Sequence, residues 1–200
     1  GYVYYSDSNS SPSMVSLLPE AIPFKDSDLQ NMIDKKVTWL IGPGLSEDFP
    51  FDRIFELLLK NNVANVIIDA SALQFAFEFF SKQCAPTTWI WTPHPGEAGS
   101  GLGEAAATVQ ADRLKAVRTL QLRFGGIFVL KGYRTLTATR DELFVNLSGN
   151  SALAKAGSGD VLSGIIAGLM AQGVQPLRAA ISGVYVHGAI ATCWVREGRD

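Results

Sequence analysis

Short runs of consecutive apolar residues alternate along the chain with longer stretches of helical periodicity. The clearest apolar runs are residues 38–41, 66–68, 89–91 and 127–130. Each run is continuous rather than alternating in polarity, as in strands that are buried on both faces of a parallel sheet. The helical stretches between them are residues 54–60, 72–82 and 105–124. This alternation predicts a layered α/β fold with a mainly parallel central sheet.

The pattern changes after Lys131. Residues 134–139 and 142–146 predict a hairpin that turns at residues 140–141. Two helices are expected beyond it, the first from about residue 159 to residue 172, where Gly173 ends it. The second is expected to begin at Pro176, which suits a first helical turn, and to continue to about residue 197.

The beginning of the chain has a different character. Residues 1–5 indicate a strand that is entered midway, and the serine-rich residues 6–16 predict a surface loop. The sequence shows no internal repeat and no low-complexity linker that would divide the chain into two domains. We therefore expect one domain over residues 1–200 that lacks its N-terminal segment.

Glycine-rich and polar segments follow the predicted strands. They are residues 42–44, Asp69, residues 92–97 and residues 131–132. In open parallel sheets, ligands bind outside the carboxyl ends of the strands. These segments are therefore expected to meet at one edge of the sheet and to form a binding site there.

The predicted helix after residue 157 begins with the strongest chemical pattern, Gly157-Ser158-Gly159-Asp160. Free backbone N–H groups at a helix start favour an anion, and glycines let a phosphate approach the backbone closely. A carboxylate at Asp160 could accept a hydroxyl proton beside that phosphate, which suits phosphoryl transfer. The alternative is a capping aspartate on an ordinary helix. The pattern matches neither the Walker P-loop nor the Rossmann fingerprint, and we interpret the second glycine-rich run, Gly99–Gly103, as a flexible loop.

Composition narrows the class of protein. The chain has 200 residues, of which 47% are hydrophobic and 18% charged, which is typical of a globular domain. The net charge of −2 argues against a general attraction to nucleic acid or anionic membranes. The longest strongly apolar stretch, residues 165–171, is too short to span a bilayer. Cys84 and Cys193 lie in apolar company without metal-ligand spacing, so we interpret both as reduced structural thiols and expect a cytoplasmic protein.

Four motifs occur in a fixed order and together carry a family resemblance. They are Gly42-Pro43-Gly44-Leu45; Thr92-Pro93-His94-Pro95-Gly96-Glu97; Val129-Leu130-Lys131-Gly132 with Thr135; and the run from Gly157 to Gly168. Each motif is weak alone, but the four at these spacings are specific. Over residues 37–195 the chain resembles the ADP/ATP-dependent NAD(P)H-hydrate dehydratases, which belong to the ribokinase-like superfamily.

The resemblance implies a repair reaction on damaged cofactor. The substrates would be (S)-NADHX and (S)-NADPHX, in which the nicotinamide ring has taken up water. ADP or ATP would phosphorylate the new hydroxyl, and loss of phosphate would restore the double bond. The resemblance also implies Mg²⁺ as cofactor and a homo-oligomer that binds small molecules rather than nucleic acid or membranes.

The resemblance also assigns roles to individual residues. Asp160 resembles the base that activates the hydrate hydroxyl. The implied anion hole is Gly157, Ser158 and Gly159. The implied nucleotide-binding residues are Lys131, Gly132, Tyr133, Arg134 and Thr135, together with Gly159. Gly44 and His94 resemble substrate-binding positions beside Asp160, and Glu97 is expected to organise Mg²⁺ indirectly through water.

Read without the resemblance, three of the polar residues have simpler interpretations. His94 could be a loop histidine, Lys131 a solvated charge at a strand end, and His187 a packing residue of an apolar helix. The chain also departs from the family in three places. Ser71 stands where an aspartate is usual, residues 150–153 replace Asn-Pro-Gly-Met, and a glycine-rich N-terminal segment is absent.

Three other functions compete with the dehydratase. One is a small-molecule kinase of the same superfamily, acting for example on a hydroxymethylpyrimidine or a thiazole alcohol. Another is a nucleotide-binding homologue with weak or no catalysis, and the third is a purely structural protein. The run from Thr92 to Glu97 argues against the kinase, because it is characteristic of the dehydratases. Asp160 argues against the non-catalytic homologue, and the polar residues at the strand ends argue against the structural protein.

Overall fold

The computed structural model of the protein describes residues 3–5, 21–23, 28–33 and 37–198. The strands are β1 (Val3–Tyr5), β2 (Ala21–Pro23), β3 (Trp39–Ile41), β4 (Val66–Ile68), β5 (Ala85–Trp91), β6 (Gly125–Leu130), β7 (Leu136–Ala138) and β8 (Leu143–Val145). The helices are α1 (Leu29–Ile33), α2 (Phe51–Lys60), α3 (Ala72–Phe79), α4 (Pro95–Leu102), α5 (Ala106–Ala111), α6 (Arg113–Phe124), α7 (Ser158–Ala171) and α8 (Pro176–Arg196).

Six strands form the main sheet, and their order in the sheet is their order along the chain, from β3 to β8. The strands β3 to β6 run parallel, whereas β7 and β8 add an antiparallel hairpin at one side. β1 and β2 pair in parallel as a separate two-stranded sheet. Because β3 to β6 are parallel, their carboxyl ends all lie at one edge of the sheet.

Helices cover both faces of the sheet. Alternate residues of β4 face opposite sides, so that Val66 and Ile68 join one hydrophobic cluster and Ile67 joins another. The first cluster includes side chains of α2, α3 and α6, and the second includes side chains of α7 and α8. This arrangement confirms the predicted α/β/α layers and the mainly parallel sheet.

Aromatic rings fill much of the first cluster. Trp91 of β5 lies between two rings, stacked on Phe77 at 5.4 Å between centroids and on Phe128 at 5.1 Å. All three side chains are at least nine-tenths buried. These contacts join α3, β5 and β6, and so they hold the strands whose ends carry the candidate site.

The glycine-rich run from Gly99 to Gly103 is not a flexible loop, and that prediction is wrong. Its first four residues lie in α4, and Gly103 ends the helix in the left-handed region with φ of 73°. A β-carbon on Gly101 would lie 2.8 Å from the ring of Phe77. The glycine is therefore needed so that the helix can pack closely against an aromatic ring, a requirement that only tertiary contacts reveal.

The predicted single helix over residues 105–124 is two helices. The backbone of Asp112 leaves the helical region, with φ of −142° and ψ of 77°. Its side chain accepts a hydrogen bond from the backbone N–H of Lys115 at 3.0 Å and so caps α6. An aspartate competes in this way with the helical hydrogen bonds of its own backbone, and here the cap prevails over the continuous helix.

The C-terminal elements follow the prediction closely. The hairpin β7–β8 closes with a hydrogen bond from the Thr139 backbone N–H to the Glu142 carbonyl at 3.0 Å, so the turn lies at residues 140–141 as expected. Gly173 ends the region of α7 with φ of 88°. Its backbone N–H donates to the carbonyl of Met170, and that of Val174 donates to Leu169. This is the capping pattern expected of a C-terminal glycine.

Cys84 and Cys193 are both free, which agrees with the interpretation as reduced thiols, but both are exposed and are therefore not core residues. Residues 6–16, predicted as a surface loop, lie outside the described residues. Within the described ranges, no helix is both long and apolar enough to cross a membrane.

Candidate functional site

An ion pair at the carboxyl edge of the sheet crosses from β4 to β6, over the end of β5. Asp69 directly follows β4, and its Oδ1 atom lies 2.8 Å from the Nζ atom of Lys131, which directly follows β6. The side chain of Asp69 is 1% exposed and that of Lys131 is 18% exposed. Lys131 thus belongs to a buried ion pair, and its alternative interpretation as a solvated charge is wrong.

His94 and Glu97 form a capping box at the start of α4. The Nδ1 atom of His94 accepts hydrogen bonds from the backbone N–H groups of Gly96 and Glu97, at 3.0 and 3.1 Å. Glu97 in return accepts from the backbone N–H of His94 at 2.6 Å. Because Nδ1 is an acceptor, the ring proton is on Nε2, in a side chain that is 56% exposed. The Nε2 atom lies 3.5 Å from Oε1 of Glu97, so both ring nitrogens of His94 face its own capping box.

The start of α7 lies against the ion pair. A β-carbon on Gly159 would be 3.2 Å from the Nζ atom of Lys131, its nearest contact outside the backbone of α7. Gly157 precedes the helix with φ of 80°, and Asp160 is exposed in the first turn. The positive end of a helix and a lysine ammonium thus meet at one point. Two positive groups so close together favour an anion between them.

His187 of α8 contacts the same helix start. Its Nε2 atom lies 3.3 Å from the Oγ atom of Ser158. Burial lowers the pKa of His187, and a backbone hydrogen bond with Ser158 partly opposes that shift. His187 is half-buried in an apolar helix, as its interpretation as a packing residue predicted, but it also holds a residue of the implied anion hole.

Arg113 holds the segment that follows β6. Its guanidinium donates to the backbone carbonyls of Leu130 and Lys131, at 3.0 and 3.2 Å, and also to that of Tyr133. Burial lowers the pKa of Arg113, although a guanidinium stays charged in proteins. One side chain of α6 therefore fixes the backbone of the implied nucleotide-binding segment.

Residues 132–134 of the implied nucleotide-binding segment are exposed. Tyr133 is 78% exposed, and the guanidinium of Arg134 lies over its ring at 5.4 Å from the centroid. The hydroxyl of Thr135 donates to the carbonyl of Gly132 at 3.0 Å. The exposed Tyr133–Arg134 pair provides a flat surface on which a base could stack.

Ser71 organises the loop that contains Gly44. Its hydroxyl lies 2.7 Å from the carbonyl oxygen of Gly42 and 2.9 Å from that of Leu45. The serine thus has a polar, structural role at the position where an aspartate is usual. A cleft of about 270 Å³ lies beside it, lined by Ala70, Ser71, Gln74, Glu97 and Ser100.

A larger cavity, of about 740 Å³, lies between the β8 region and α8. Its lining is mostly apolar and includes Phe144, Leu147 and Ile181. Among its described lining residues there is no Asp, Glu, Lys, Arg or His. The edge with the ion pair is therefore the better candidate for chemistry on a phosphate.

Most of the residues singled out in the sequence lie around this edge. Direct contacts join Lys131 to Glu97 and to Gly159, and Glu97 to His94. No described contact joins Gly44 to them. Gly44 is exposed, and nothing lies within 4 Å of the position that a β-carbon would take there.

Sequence reasoning placed Asp69 at the binding edge but gave it no individual role, and it did not anticipate Arg113 or the contact of Ser158 with His187. Asp69 had a usable signal, since it is a charged residue directly after a buried strand. Arg113 had none, because its partners lie 17 to 20 positions away.

Within residues 37–198 and the shorter described segments, no group of three or more His, Cys, Asp or Glu side chains could hold a metal ion. Both of the nearby carboxylates, Asp69 and Glu97, already contact Lys131. These residues fit a Mg²⁺ ion only if phosphate oxygens and water supply most of its ligands, which is how Mg²⁺ usually binds with nucleotides.

Comparisons with known sequences indicate the NAD(P)H-hydrate dehydratase family. The sequence profile of the NAD(P)H-hydrate dehydratases matches residues 4–198. The ADP-dependent (S)-NAD(P)H-hydrate dehydratase of Neisseria meningitidis is 43% identical over 160 residues, which are 76% of this chain and 53% of that protein. The chain thus spans about half the length of that relative.

Two solved structures are similar in fold. The ADP/ATP-dependent NAD(P)H-hydrate dehydratase of Bacillus subtilis, co-crystallised with ATP and Mg²⁺ and soaked with CoA, has a TM-score of 0.75 and 30% identity, covering 98% of this chain and 73% of that one. A ribokinase-like superfamily protein of Enterococcus faecalis has a TM-score of 0.81 and 26% identity, covering 98% and 70%. The predicted ribokinase-like fold is confirmed, and the chain belongs to the NAD(P)H-hydrate dehydratase family.

Proposed function

We propose that this protein restores hydrated NADH and NADPH by a nucleotide-dependent dehydration. One observation carries the proposal: the Lys131 ammonium lies against Gly159 at the start of α7, and Asp160 follows in the same turn. This arrangement combines a cation, a helix start and an exposed carboxylate, which are the groups that phosphoryl transfer to a hydroxyl requires.

In the proposed reaction, Asp160 accepts the proton of the hydrate hydroxyl while that oxygen attacks the terminal phosphoryl group of ADP or ATP. Asp160 is exposed and so can reach a bound substrate. Gly157, Ser158 and Gly159 hold the transferred phosphoryl group through their backbone. The phosphorylated hydrate then loses phosphate from one ring carbon and a proton, taken up by water, from the next, and the ring double bond forms again. Overall, ADP is converted to AMP and phosphate, or ATP to ADP and phosphate.

The nucleotide would lie along the segment from Lys131 to Thr135. The exposed ring of Tyr133 and the guanidinium of Arg134 offer a stacking surface for adenine. Phosphates would extend from there to Gly159 and meet the Lys131 ammonium. Mg²⁺, when bound, would neutralise phosphate charge, and Glu97 would contact its water ligands.

The hydrate would bind on the opposite side of the phosphoryl group. His94, whose side chain is 56% exposed and is held by the capping box, would contact the hydrate there. Gly44 lies on the loop to which the Ser71 hydroxyl donates, with free space where a β-carbon would be. The cleft beside Ser71 and Glu97 offers part of the room that a nicotinamide substrate needs.

The activity can be tested directly. The protein is incubated with NADHX, Mg²⁺ and either ADP or ATP, and the absorbance of NADH is followed. We expect absorbance to rise with at least one nucleotide and not when both are left out. No rise with either nucleotide, in protein that is folded and binds ADP, would contradict the dehydratase and favour the non-catalytic homologue. Consumption of ATP only with a thiazole or pyrimidine alcohol would favour the kinase.

The single domain, the homo-oligomer and the cytoplasmic location stay predictions. Size-exclusion chromatography with light scattering measures the assembly, and a monomer would contradict the expected oligomer.

A further inference from the structure

The backbone of Asp69 is tied to the elements on both sides of it. Its backbone N–H donates to the carbonyl of Ile41 at 3.0 Å, and its carbonyl accepts from Ala72 at 3.2 Å. Gly42 packs on that carbonyl so closely that a β-carbon there would lie 1.7 Å from the oxygen. The backbone that carries the Asp69 carboxylate is therefore fixed between β3 and α3.

Burial of this carboxylate is costly and is offset on one side only. The Oδ1 atom accepts from the Lys131 ammonium at 2.8 Å and from the backbone N–H of Ala70 at 2.9 Å. The Oδ2 atom is buried without a hydrogen-bond partner among the described residues. A buried, half-satisfied carboxylate is strongly destabilised if its cation leaves. Asp69 thus keeps the Nζ atom of Lys131 beside its own Oδ1 atom.

The held ammonium keeps part of its bonding capacity unused. A lysine ammonium has three N–H donors, and the described residues provide one hydrogen-bond acceptor for them, Asp69. Glu97 lies at 3.7 Å, which is close enough for attraction but long for a hydrogen bond. The remaining donors lie beside Gly159, where the helix start also attracts an anion.

From this geometry we infer that Asp69 is a positioning residue for the transferred phosphoryl group, acting through Lys131. The inference rests on the proposed function and deepens it. The buried carboxylate fixes the ammonium on one side, so that its free N–H donors and the start of α7 meet the same phosphoryl oxygens on the other. Lys131 then serves the terminal phosphate rather than the adenosine part of the nucleotide.

The test is a double-mutant cycle with Asp69→Asn and Lys131→Met. Each single change should lower kcat about 10- to 100-fold, the range expected when a positioned group is displaced. If Asp69 acts through Lys131, adding Asp69→Asn to the Lys131→Met protein should cost little more activity. Multiplication of the two losses would overturn the inference. Glu78→Gln, an exposed acid-to-amide change on α3, is the control and should retain full activity.

Binding of AMP and ADP separates positioning from simple damage to the structure. Calorimetric titration should show that Asp69→Asn weakens ADP at least several-fold more than AMP, because only ADP places a second phosphate beside Lys131. Equal weakening of both nucleotides would overturn the inference. This comparison needs no turnover, so it decides the role of Asp69 even if the protein fails to dehydrate NADHX.

Asp69→Asn could prevent folding, and melting curves would reveal it. In that case the double variant, which removes both charges together, is compared with Lys131→Met alone. The inference expects equal kcat and an equal ratio of ADP to AMP affinity in these two proteins. A difference beyond about threefold, roughly 0.7 kcal/mol, would contradict it.

Discussion

The two sides of the candidate cleft are built in opposite ways. On the sheet side, the buried carboxylate of Asp69 forms an ion pair with the partly buried ammonium of Lys131. On the helix side, Asp160 is exposed and Gly157 and Gly159 carry no side chains that could interfere. The sheet side thus holds charge at a fixed place, whereas the helix side leaves its reactive groups open to a ligand. The ends of β4 and β6 thus provide rigid charged groups, and the start of α7 provides the groups proposed to react.

This comparison predicts that a change on the helix side should affect turnover without affecting the fold. Asp160→Asn should lower kcat by about 10²- to 10⁴-fold, because a positioned general base contributes that much. Melting temperature and ADP affinity should stay near the values of the unchanged protein, since the side chain is exposed. Steady-state kinetics with NADHX measures the loss, and Asp141→Asn in the hairpin turn is the matched control. Near-normal activity of Asp160→Asn would refute its role.

Where the two sides meet, a small change should disturb both. Gly159→Val places a side chain against the Lys131 ammonium, where a β-carbon alone would already be at 3.2 Å. We expect ADP affinity to fall about tenfold, equivalent to roughly 1.4 kcal/mol.

Gly164→Val is the control for this change, because it makes the same substitution in the same helix, at a site with nothing within 4 Å. Calorimetric titration beside a melting curve separates the outcomes. A lower melting temperature with unchanged ADP affinity would mean that no phosphate binds there.

On the sheet side, Arg113 should affect the nucleotide through the backbone alone. Arg113→Lys removes a guanidinium that contacts three carbonyls, and a lysine cannot reproduce its planar fork. We expect ADP affinity to fall a few-fold and stability to fall by about 1 kcal/mol.

Arg118→Lys, on the same helix, is the matched control for Arg113. The guanidinium of Arg118 donates to the carbonyl of Thr139 in the hairpin at 2.8 Å and not to the nucleotide segment. It should cost stability but leave ADP affinity unchanged. Equal affinity losses in both variants would show that Arg113 has no special relation to the nucleotide.

The smallest expected effect concerns His187 and pH. Burial lowers its pKa in the folded protein, so the unfolded chain takes up a proton first as the pH falls. The stability that the neutral ring contributes is therefore complete above the unfolded pKa of about 6.5 and is lost as the pH falls below it. The melting temperature of His187→Gln should fall less than that of the unchanged protein between pH about 7.5 and about 5.5. Parallel pH dependences of the two proteins would contradict this.

The sequence by itself determined the local pieces of this protein. Continuous apolar runs predict strands at the positions of β3, β4 and β6, and Gly173 predicts the end of α7. The helix start at residues 157–160 could also be predicted from the sequence, because a glycine-rich turn depends on neighbouring residues. Predicting these features required no information about tertiary contacts.

The tertiary structure alone decided which of these pieces meet. Asp69 and Lys131 are 62 positions apart and pair only because β4 and β6 end at the same edge on either side of β5. The sequence predicted a flexible loop at Gly101, whereas the structure shows a helix that needs a glycine there to pack against the ring of Phe77. A single sequence carries the chemistry of each residue, but ion pairs and close packing depend on distances between residues that only the strand order and the layers establish.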